Sequence, residues 1–390
     1  MGIEIPKKIL ITGGAGFIGS ATALRLVELG CDVRVIDNFL PQIHGDDPDQ
    51  SPTFQRIRDH VEVVRADVRD ADAMAAALMG QEAVLHLAAL TGTGQSMYQA
   101  AEYAAVNVTA TALLTDLIVR SDTVERVVVA SSRSIYGEGQ YLRPSDGRRV
   151  FPGSRSVEHM REGDFSVHDG ETGEALQPMP TSEDALQFPA SIYAATKAAQ
   201  EQVIRCIAEG IGLSAVALRY QNVYGPGQSL KNPYTGILSI FTQALRRGQR
   251  INIFEDGLPA RDFVFIDDVV AANVAALSRS APGFVAINIG TGVETTVLQV
   301  LRSLADALGI QAEYEISGDF RVGDIRTCFA DTALAERELG LVPKVRFDEG
   351  CRAFVNWALE SDADEASAKG YRSSLEEMKS HSLLISGSKD

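Results

Sequence analysis

Tyr193 and Lys197 stand four residues apart in Tyr193-Ala-Ala-Thr-Lys197. On a helix that spacing puts both side chains on one face. A tyrosine held beside an ammonium group has its phenolate favoured, so its pKa is expected to fall. A poised phenolate can serve as a general base on a hydroxyl. Ser131-Ser132 closes an apolar run that begins at Arg126, and a hydroxyl there could bond the same substrate oxygen. Taken alone, Y-x-x-x-K reads equally well as an exposed helix pair. Its weight comes from what precedes it in the chain.

Thr12-Gly-Gly-Ala-Gly-Phe-Ile-Gly19 carries glycines at 13, 16 and 19. In a strand–turn–helix the first permits the tight turn, the second lets a pyrophosphate approach the backbone, and the third lets the helix pack closely. The pyrophosphate then meets the positive end of the helix dipole. Asp37 ends the next apolar run. A carboxylate there can accept from ribose hydroxyls and would repel a 2′-phosphate, which favours NAD over NADP. Asp67-Val68 ends the third run, where an adenine would lie.

The elements that must position these groups alternate. Strands are expected at Lys7–Thr12, Cys31–Asp37, Val61–Asp67, Ala83–Ala89 and Arg126–Ser132, with helices at Phe17–Leu29, Asp70–Met79 and Tyr98–Val119. Near-continuous apolar strands between helices imply an α/β fold, a parallel sheet covered on both faces. The stretch from Glu138 to Pro180 breaks the rhythm and reads as an insertion, either a lid over the site or surface packing. Helix Ser191–Glu209 and strand Ser214–Tyr220 resume it. Residues 221–360 mix short strands at Ile251–Phe254, Phe263–Ile266 and Ala286–Ile289 with helices at Ile237–Arg247, Asp268–Ser278, Val297–Leu308 and Asp348–Leu359, as in a smaller lobe at the sheet's carboxyl edge. The tail from Ser361 is polar and expected to be frayed or loosely docked.

Composition narrows the partners. Among 390 residues, 36 Lys+Arg against 52 Asp+Glu give a net charge of −16, which disfavours nucleic acid and anionic membrane as partners. No apolar run approaches the ~20 residues of a membrane span, and Met1-Gly-Ile-Glu-Ile-Pro6 has no signal-peptide pattern. Cys31, Cys206, Cys328 and Cys351 have no C-x-x-C spacing, so reduced thiols in a cytoplasm are expected and a metal site is not.

With these motifs in hand the chain resembles an extended short-chain dehydrogenase/reductase of the NAD-dependent epimerase/dehydratase family, acting on nucleotide sugars. The resemblance runs from Thr12 to about Trp357. Beyond the motifs above it is carried by Asp37-Asn38, His86-Leu-Ala-Ala89, Asn107, Tyr136-Gly137, Arg219-Tyr-Gln-Asn-Val-Tyr-Gly225, Arg261-Asp-Phe263 and Arg321-Val-Gly-Asp324. It implies a Rossmann-type doubly wound parallel sheet (residues 1–220, insertion 138–180) with a smaller C-terminal α/β substrate lobe (221–360), some of whose segments return to the sheet. By the same resemblance Ser132 and Tyr193 contact the reacting hydroxyl, and Lys197 holds the nicotinamide ribose. Gly13, Gly16, Phe17, Ile18, Gly19, Asp37, Asn38, Asp67, Val68, Leu87, Ala88, Ala89 and Asn107 would hold the cofactor, together with Tyr193 and Lys197. Thr91, Ser132, Arg133, Asn222, Arg261, Arg321 and Asp324 would hold the substrate. Bidentate charge-assisted bonds from arginines suit a diphosphate. The resemblance also implies a homodimer, made by pairing the helices around 98–119 and 193 into a four-helix bundle.

In the family's 4,6-dehydratases an Asp-Glu pair follows the Ser/Thr. Arg133 and Ser134 stand there, and neither can be that acid or base. Transient oxidation and re-reduction at C4 of a nucleotide sugar is the expectation. Decarboxylation, epimerisation at another carbon, and an NAD-binding regulatory protein remain the alternatives. Asn38–Gly45, Ser132–Gly139 and Gln228–Gly236 are similar to a subgroup that includes dTDP-L-rhamnose 4-epimerase-like proteins, many of which carry cysteine pairs for a zinc knuckle in the insertion. Residues 138–192 hold no cysteine, and His159 and His168 alone do not close a tetrahedral site. Cys328 falls where UDP-hexose 4-epimerases vary in side-chain size.

Overall fold

The computed structural model describes residues 4–230, 236–361, 375–381 and 383–387. Residues 231–235 of the quoted segment Gln228–Gly236, and the rest of the tail, lie outside the described residues. Seven strands form one parallel sheet: β1 Lys8–Thr12, β2 Asp32–Asp37, β3 Glu62–Arg65, β4 Ala83–His86, β5 Arg126–Ser132, β6 Ser214–Tyr220 and β7 Gly283–Ile289. Their order is β7-β6-β5-β4-β1-β2-β3, and every neighbouring pair is parallel. The order reverses between β1 and β4, so the crevice at the carboxyl ends of those strands is the place for a ligand.

The helices follow from stripes of apolar residues. On one face α1 Phe17–Glu28 packs with the helix Ile266–Ser278, and Ala23, Leu26, Val269 and Leu277 are buried against Ile9, Ile11, Val33 and Leu218. The other face takes α2 Ala71–Leu78 and α3 Ala110–Val119, then α4 Ile192–Ile211. There Met74, Leu114, Ile118 and Ile204 meet Leu10, Val84, Val127 and Ala215. Asp70 caps α2 by accepting from the backbone N–H of Asp72 and Ala73. Ser191 caps α4 at Ala194, and Gly212 ends it in the left-handed region at φ 72°.

Three expectations from the sequence need adjustment. The long helix is continuous from Ala100 to Val119, but residues Ala104–Thr109 form a π-helical stretch. By length and composition this helix could cross a membrane, although Glu102, Asn107 and Asp116 interrupt any apolar run. Leu114 and Ile118 are buried against the sheet and α4, which accounts for its apolar character. The short strand expected at Ala286–Ile289 extends to Gly283 and joins the main sheet as β7. The insertion, read as having no period, holds a three-stranded antiparallel sheet of Tyr141–Arg143, Arg148–Val150 and Gln177–Pro178 and a helix at Val157–Arg161. Strands of two or three residues are too short for a period to show. The second lobe has its own core of Phe241, Ile253, Phe263, Phe265, Leu301, Leu304 and Phe354.

One buried polar chain ties the sheet to α3 and α4. His86 Nδ1 lies 2.7 Å from the Thr12 hydroxyl and His86 Nε2 2.9 Å from the Thr111 hydroxyl, which also accepts from Gln200. Burial pushes His86 down from 6.5 to about 3. The unfolded chain therefore takes up a proton below about pH 6.5 that the fold refuses, and stability is lost as pH falls through that window. His86→Gln should lessen the fall in Tm between about pH 7 and about pH 5 relative to the parent chain, as read by calorimetry.

Candidate active site

The glycine turn follows β1 directly. Gly13 has φ 67°, and its N–H donates to the carbonyl of Ile36 at 2.8 Å. A Cβ on Gly13 would sit 2.8 Å from the backbone nitrogen of Ala88, and one on Gly19 would sit 2.5 Å from the Gly13 carbonyl oxygen. Both positions therefore require glycine. α1 begins after Gly16 with no side-chain cap and no acid in its first turn. Its first N–H groups, with Phe17 and Ile18 behind them, are free to meet an anion.

Asp37 does more than sequence reasoning assigned to it. It is 8% exposed; one oxygen accepts from the Ala15 N–H at 3.1 Å and the other from the Phe39 N–H at 2.9 Å. It braces the glycine loop from below. Asn38 donates to Asp67 at 3.0 Å, and Arg69 clamps Asp67 through two nitrogens at 2.9 Å. The Arg69 hydrogen bond holds the Asp67 carboxyl down at about 2. Asn38, Phe39, Arg65, Ala66 and Asp67 line an open cavity of about 300 Å³, and Val68 is buried beside it. The segment Leu87-Ala88-Ala89 leaves β4 next to Gly13, with Ala88 N–H donating to Thr12 Oγ1 at 3.2 Å. Asn107 lies behind it, fully buried. Its amide is spent on Leu90, both ways, and on Thr196. Thr91 is exposed at the end of the segment, its carbonyl accepting from Tyr103 at 2.6 Å.

Ser132 ends β5 opposite Tyr220 of β6. Its hydroxyl accepts from Ser134 N–H and hydrogen-bonds Tyr193. The neighbouring Ser131 has a different task, since it donates to Glu201, which also takes two bonds from Arg219 at 2.9 and 2.8 Å. Tyr193, Lys197 and Glu201 thus form a ladder at four-residue intervals along α4. The ammonium of Lys197 is buried and donates to the Ala130 carbonyl at 2.9 Å. Burial pulls Lys197 down to about 7, against the pull of Glu201.

The fall expected for Tyr193 rests on Lys197 together with a cationic nicotinamide; the chain's own groups, on balance, act in the other direction. Burial pushes the phenol up, and the Ser132 hydrogen bond and the Arg133 charge only oppose that rise. Lys197 spends its nearest bond on Ala130 instead.

Beyond Tyr193 lies a group of cations. Arg133 donates through Nε to Asn222 at 3.1 Å, and burial beside Arg261 lowers it to about 10. Arg261 donates to Asp324 at 2.9 Å. Arg321 lies 5.0 Å from the Phe254 ring centre, and its buried Nε has no hydrogen-bond partner. Burial works against the charge of Asp324, yet Arg261, Arg321, Arg155 and Arg133 outweigh it and keep the carboxyl below its ordinary range. The buried thiol of Cys328 is pushed up by its burial.

Arg155 is a residue the sequence reading missed, and it comes from the insertion. It binds Glu255 through two nitrogens at 2.8 Å, the Asp324 carbonyl at 2.9 Å and Glu138 at 3.2 Å, with all three charged side chains at most 3% exposed. Long-range pairs of this kind leave no spacing signal. Within the insertion, Arg143 holds Asp169 at 3.0 and 2.8 Å. His159 and His168, expected to be alone, are joined by Asp164, whose Oδ2 lies 2.8 Å from His168 Nε2. Ser166 N–H and the Gly173 carbonyl complete that group's bonds.

The model of the NAD dependent epimerase/dehydratase family matches residues 9–155 and 169–290. The chain is similar to dTDP-L-rhamnose 4-epimerase of Burkholderia thailandensis, 39% identical over 355 residues, covering 90% of this chain and 94% of that one. Its structure is similar to UDP-glucose 4-epimerase of Thermotoga maritima with UDP-glucose, at TM-score 0.72 and 29% identity, over 90% of this chain and 98% of the other. It is also similar to MoeE5 in complex with UDP-glucose and NAD, at TM-score 0.70 and 30% identity, covering 90% and 99%.

Gly19→Ala forces a methyl against the Gly13 carbonyl. A loss of about 1–3 kcal/mol in urea unfolding is expected, while alanine at the open surface position Gly210 should cost nothing comparable.

Proposed function

The chain belongs to the NAD dependent epimerase/dehydratase family, and on that footing we propose that it is a nucleotide-sugar 4-epimerase acting on a dTDP- or UDP-linked hexose or 6-deoxyhexose. The observation that carries this reading is the meeting of Ser132, Tyr193 and Lys197 at the carboxyl end of β5, beside the glycine turn on one side and the arginine group on the other.

The residues fit NAD. Gly13 and Gly19 leave no room for a Cβ against Ala88 and the Gly13 carbonyl, so the turn closes tightly, and Gly16 keeps the backbone bare where a pyrophosphate would come close. Phe17 and Ile18, at the start of α1, would offer N–H groups to it. Asp37 and Asn38 would hold the adenosine ribose, and Asp67 and Val68 would border the adenine cavity. Leu87, Ala88 and Ala89 would line the cofactor, with Asn107 fixing that segment from behind. When bound, NAD accepts a hydride from the sugar carbon and gives it back.

The remaining chemistry belongs to the chain. Tyr193 takes the proton of the sugar O4 and later returns it. Ser132 holds that oxygen, and Lys197 holds the nicotinamide ribose. Asn222, Arg261 and Arg321 would bind the diphosphate, and Thr91, Arg133 and Asp324 border the sugar. The 4-keto sugar turns in the pocket and is reduced on its other face. Arg133 and Ser134 provide no acid–base pair for dehydration. We place the enzyme in the cytoplasm, as a homodimer paired through the helices Ala100–Val119 and Ile192–Ile211.

Tyr193→Phe removes the acid–base hydroxyl without changing the ring. Inversion at C4 of dTDP-L-rhamnose or UDP-glucose is expected to slow by about 10²–10⁴-fold, with the bound NAD per chain unchanged. Full activity in the variant would remove Tyr193 from the reaction.

A further inference from the structure

Arg321 is placed by an unusually small element. Phe320–Arg321 pairs with no strand but Leu384–Ile385 among the described residues. A two-stranded ribbon is marginal in isolation. The side chain of Arg321 lies over the Phe254 ring and leaves its buried Nε unbonded. Its backbone is held in part by the tail strand that accompanies it.

That tail strand is anchored at several points. Leu384 stands opposite Arg321 and Ile385 opposite Phe320. Val322 N–H donates to the Leu383 carbonyl at 3.0 Å, and Gly387 N–H donates to Asp319 at 3.0 Å. Ile385 packs on the cluster of Met160, Phe165 and Phe320, which joins the insertion to this ribbon. The preceding helical segment, 375–380, and the turn at 381 reach the opposite wall. Glu377 accepts from the Tyr98 hydroxyl at 2.9 Å, and His381 stacks on the Tyr98 ring at 5.1 Å and 14°. Met378 covers Gly94 so closely that a Cβ there would lie 2.7 Å from its methyl. Leu383 N–H donates to the Met378 carbonyl at 2.9 Å, which joins the two halves.

Gly94 and Tyr98 follow the cofactor-side segment that leaves β4, while Arg321 belongs to the second lobe. We propose that residues 375–381 and 383–387 form a strap between the Gly94–Tyr98 wall and the Phe320–Arg321 ribbon that helps position Arg321 and encloses the nucleotide diphosphate of the substrate. The proposal rests on the nucleotide-sugar reading above. It also gives the strap a use in that reaction, because an oxidised sugar must stay enclosed until it is reduced. Leu384 and Gly387 act through Arg321 and are positioning residues.

Two variants of the full chain test this. In Gly387→Val the new Cβ would sit 2.6 Å from the Gly318 carbonyl carbon and 2.8 Å from the Ser317 oxygen, so the strand must lift. Leu384→Asp puts a carboxylate where a side chain is 7% exposed. The probes are dTDP and UDP, titrated calorimetrically into the NAD-containing protein, with limited trypsin digestion reporting release of the tail. Both variants should bind the nucleotides about tenfold more weakly, raise KM with kcat little changed, and lose the tail faster to trypsin, with bound NAD and Tm unchanged. Faster cleavage with parental Kd values overturns the proposal. So does unchanged cleavage with unchanged Kd, since the tail is then not docked there. A loss of bound NAD or a fall in Tm would reduce the strap to a general brace and overturns its specific role. Failure of the parent chain to invert any sugar, with the Kd effect intact, would remove the epimerase reading and leave the strap standing.

Discussion

A single carboxylate set among arginines organises the substrate side of this protein. Arg261, Arg321, Arg155 and Arg133 all bear on Asp324. Like charges repel at short range, and Asp324 does not offset these guanidinium groups alone. The chain supplies partial relief. Glu138 and Glu255 take Arg155, and Asp256 takes Arg326. Arg133 keeps one bond to Asn222, and the Nε of Arg321 keeps none. The surplus positive charge is thus concentrated at one place in a chain whose net charge is −16. A diphosphate is the kind of ligand that would relieve it, and through Arg155 the insertion takes part in the same charge balance.

The catalytic side has a comparable logic in the sheet. Pairing of β5 with β6 sets Ser131 opposite Arg219 and Ser132 opposite Tyr220. Strand alternation then separates the two serines. One faces the buried Glu201–Arg219 pair beneath α4, while the other is left to Tyr193. The ladder Tyr193–Lys197–Glu201 therefore has a structural end and a chemical end. Burial pulls the Lys197 ammonium down to about 7 while Glu201 holds it up, and it keeps its bond to the Ala130 carbonyl.

Local features were legible in the sequence. The glycine turn and the Tyr–Lys spacing are set by residues within one or two turns of each other, and they appear where the spacing puts them; β1, β2 and β5 end where expected, whereas β3 stops at Arg65 rather than Asp67 and β4 at His86 rather than Ala89. The same holds for the main helices, within a residue or two at their ends. What was not legible depends on distant partners. Arg155 meets Glu255 across 100 positions and Asp324 across 169, and no spacing rule reaches that far. The tail looked polar and loosely held, yet Leu384–Ile385 finds Phe320–Arg321. The burial that pushes the Tyr193 phenol up could not be read from a four-residue interval. Asp37 and Asn107 were identified by position, but their bracing of the glycine turn and of Leu90 depends on tertiary contact.

The central claim is that the reaction at C4 is an oxidation and its reversal within one closed pocket. Proton NMR of the full chain with dTDP-L-rhamnose or UDP-glucose in deuterated water tests it most directly. The account predicts inversion at C4 with the original C4 hydrogen retained, because that atom leaves and returns without meeting solvent. Deuterium appearing at C4 would contradict it, since inversion would then pass through a proton exchanged with water.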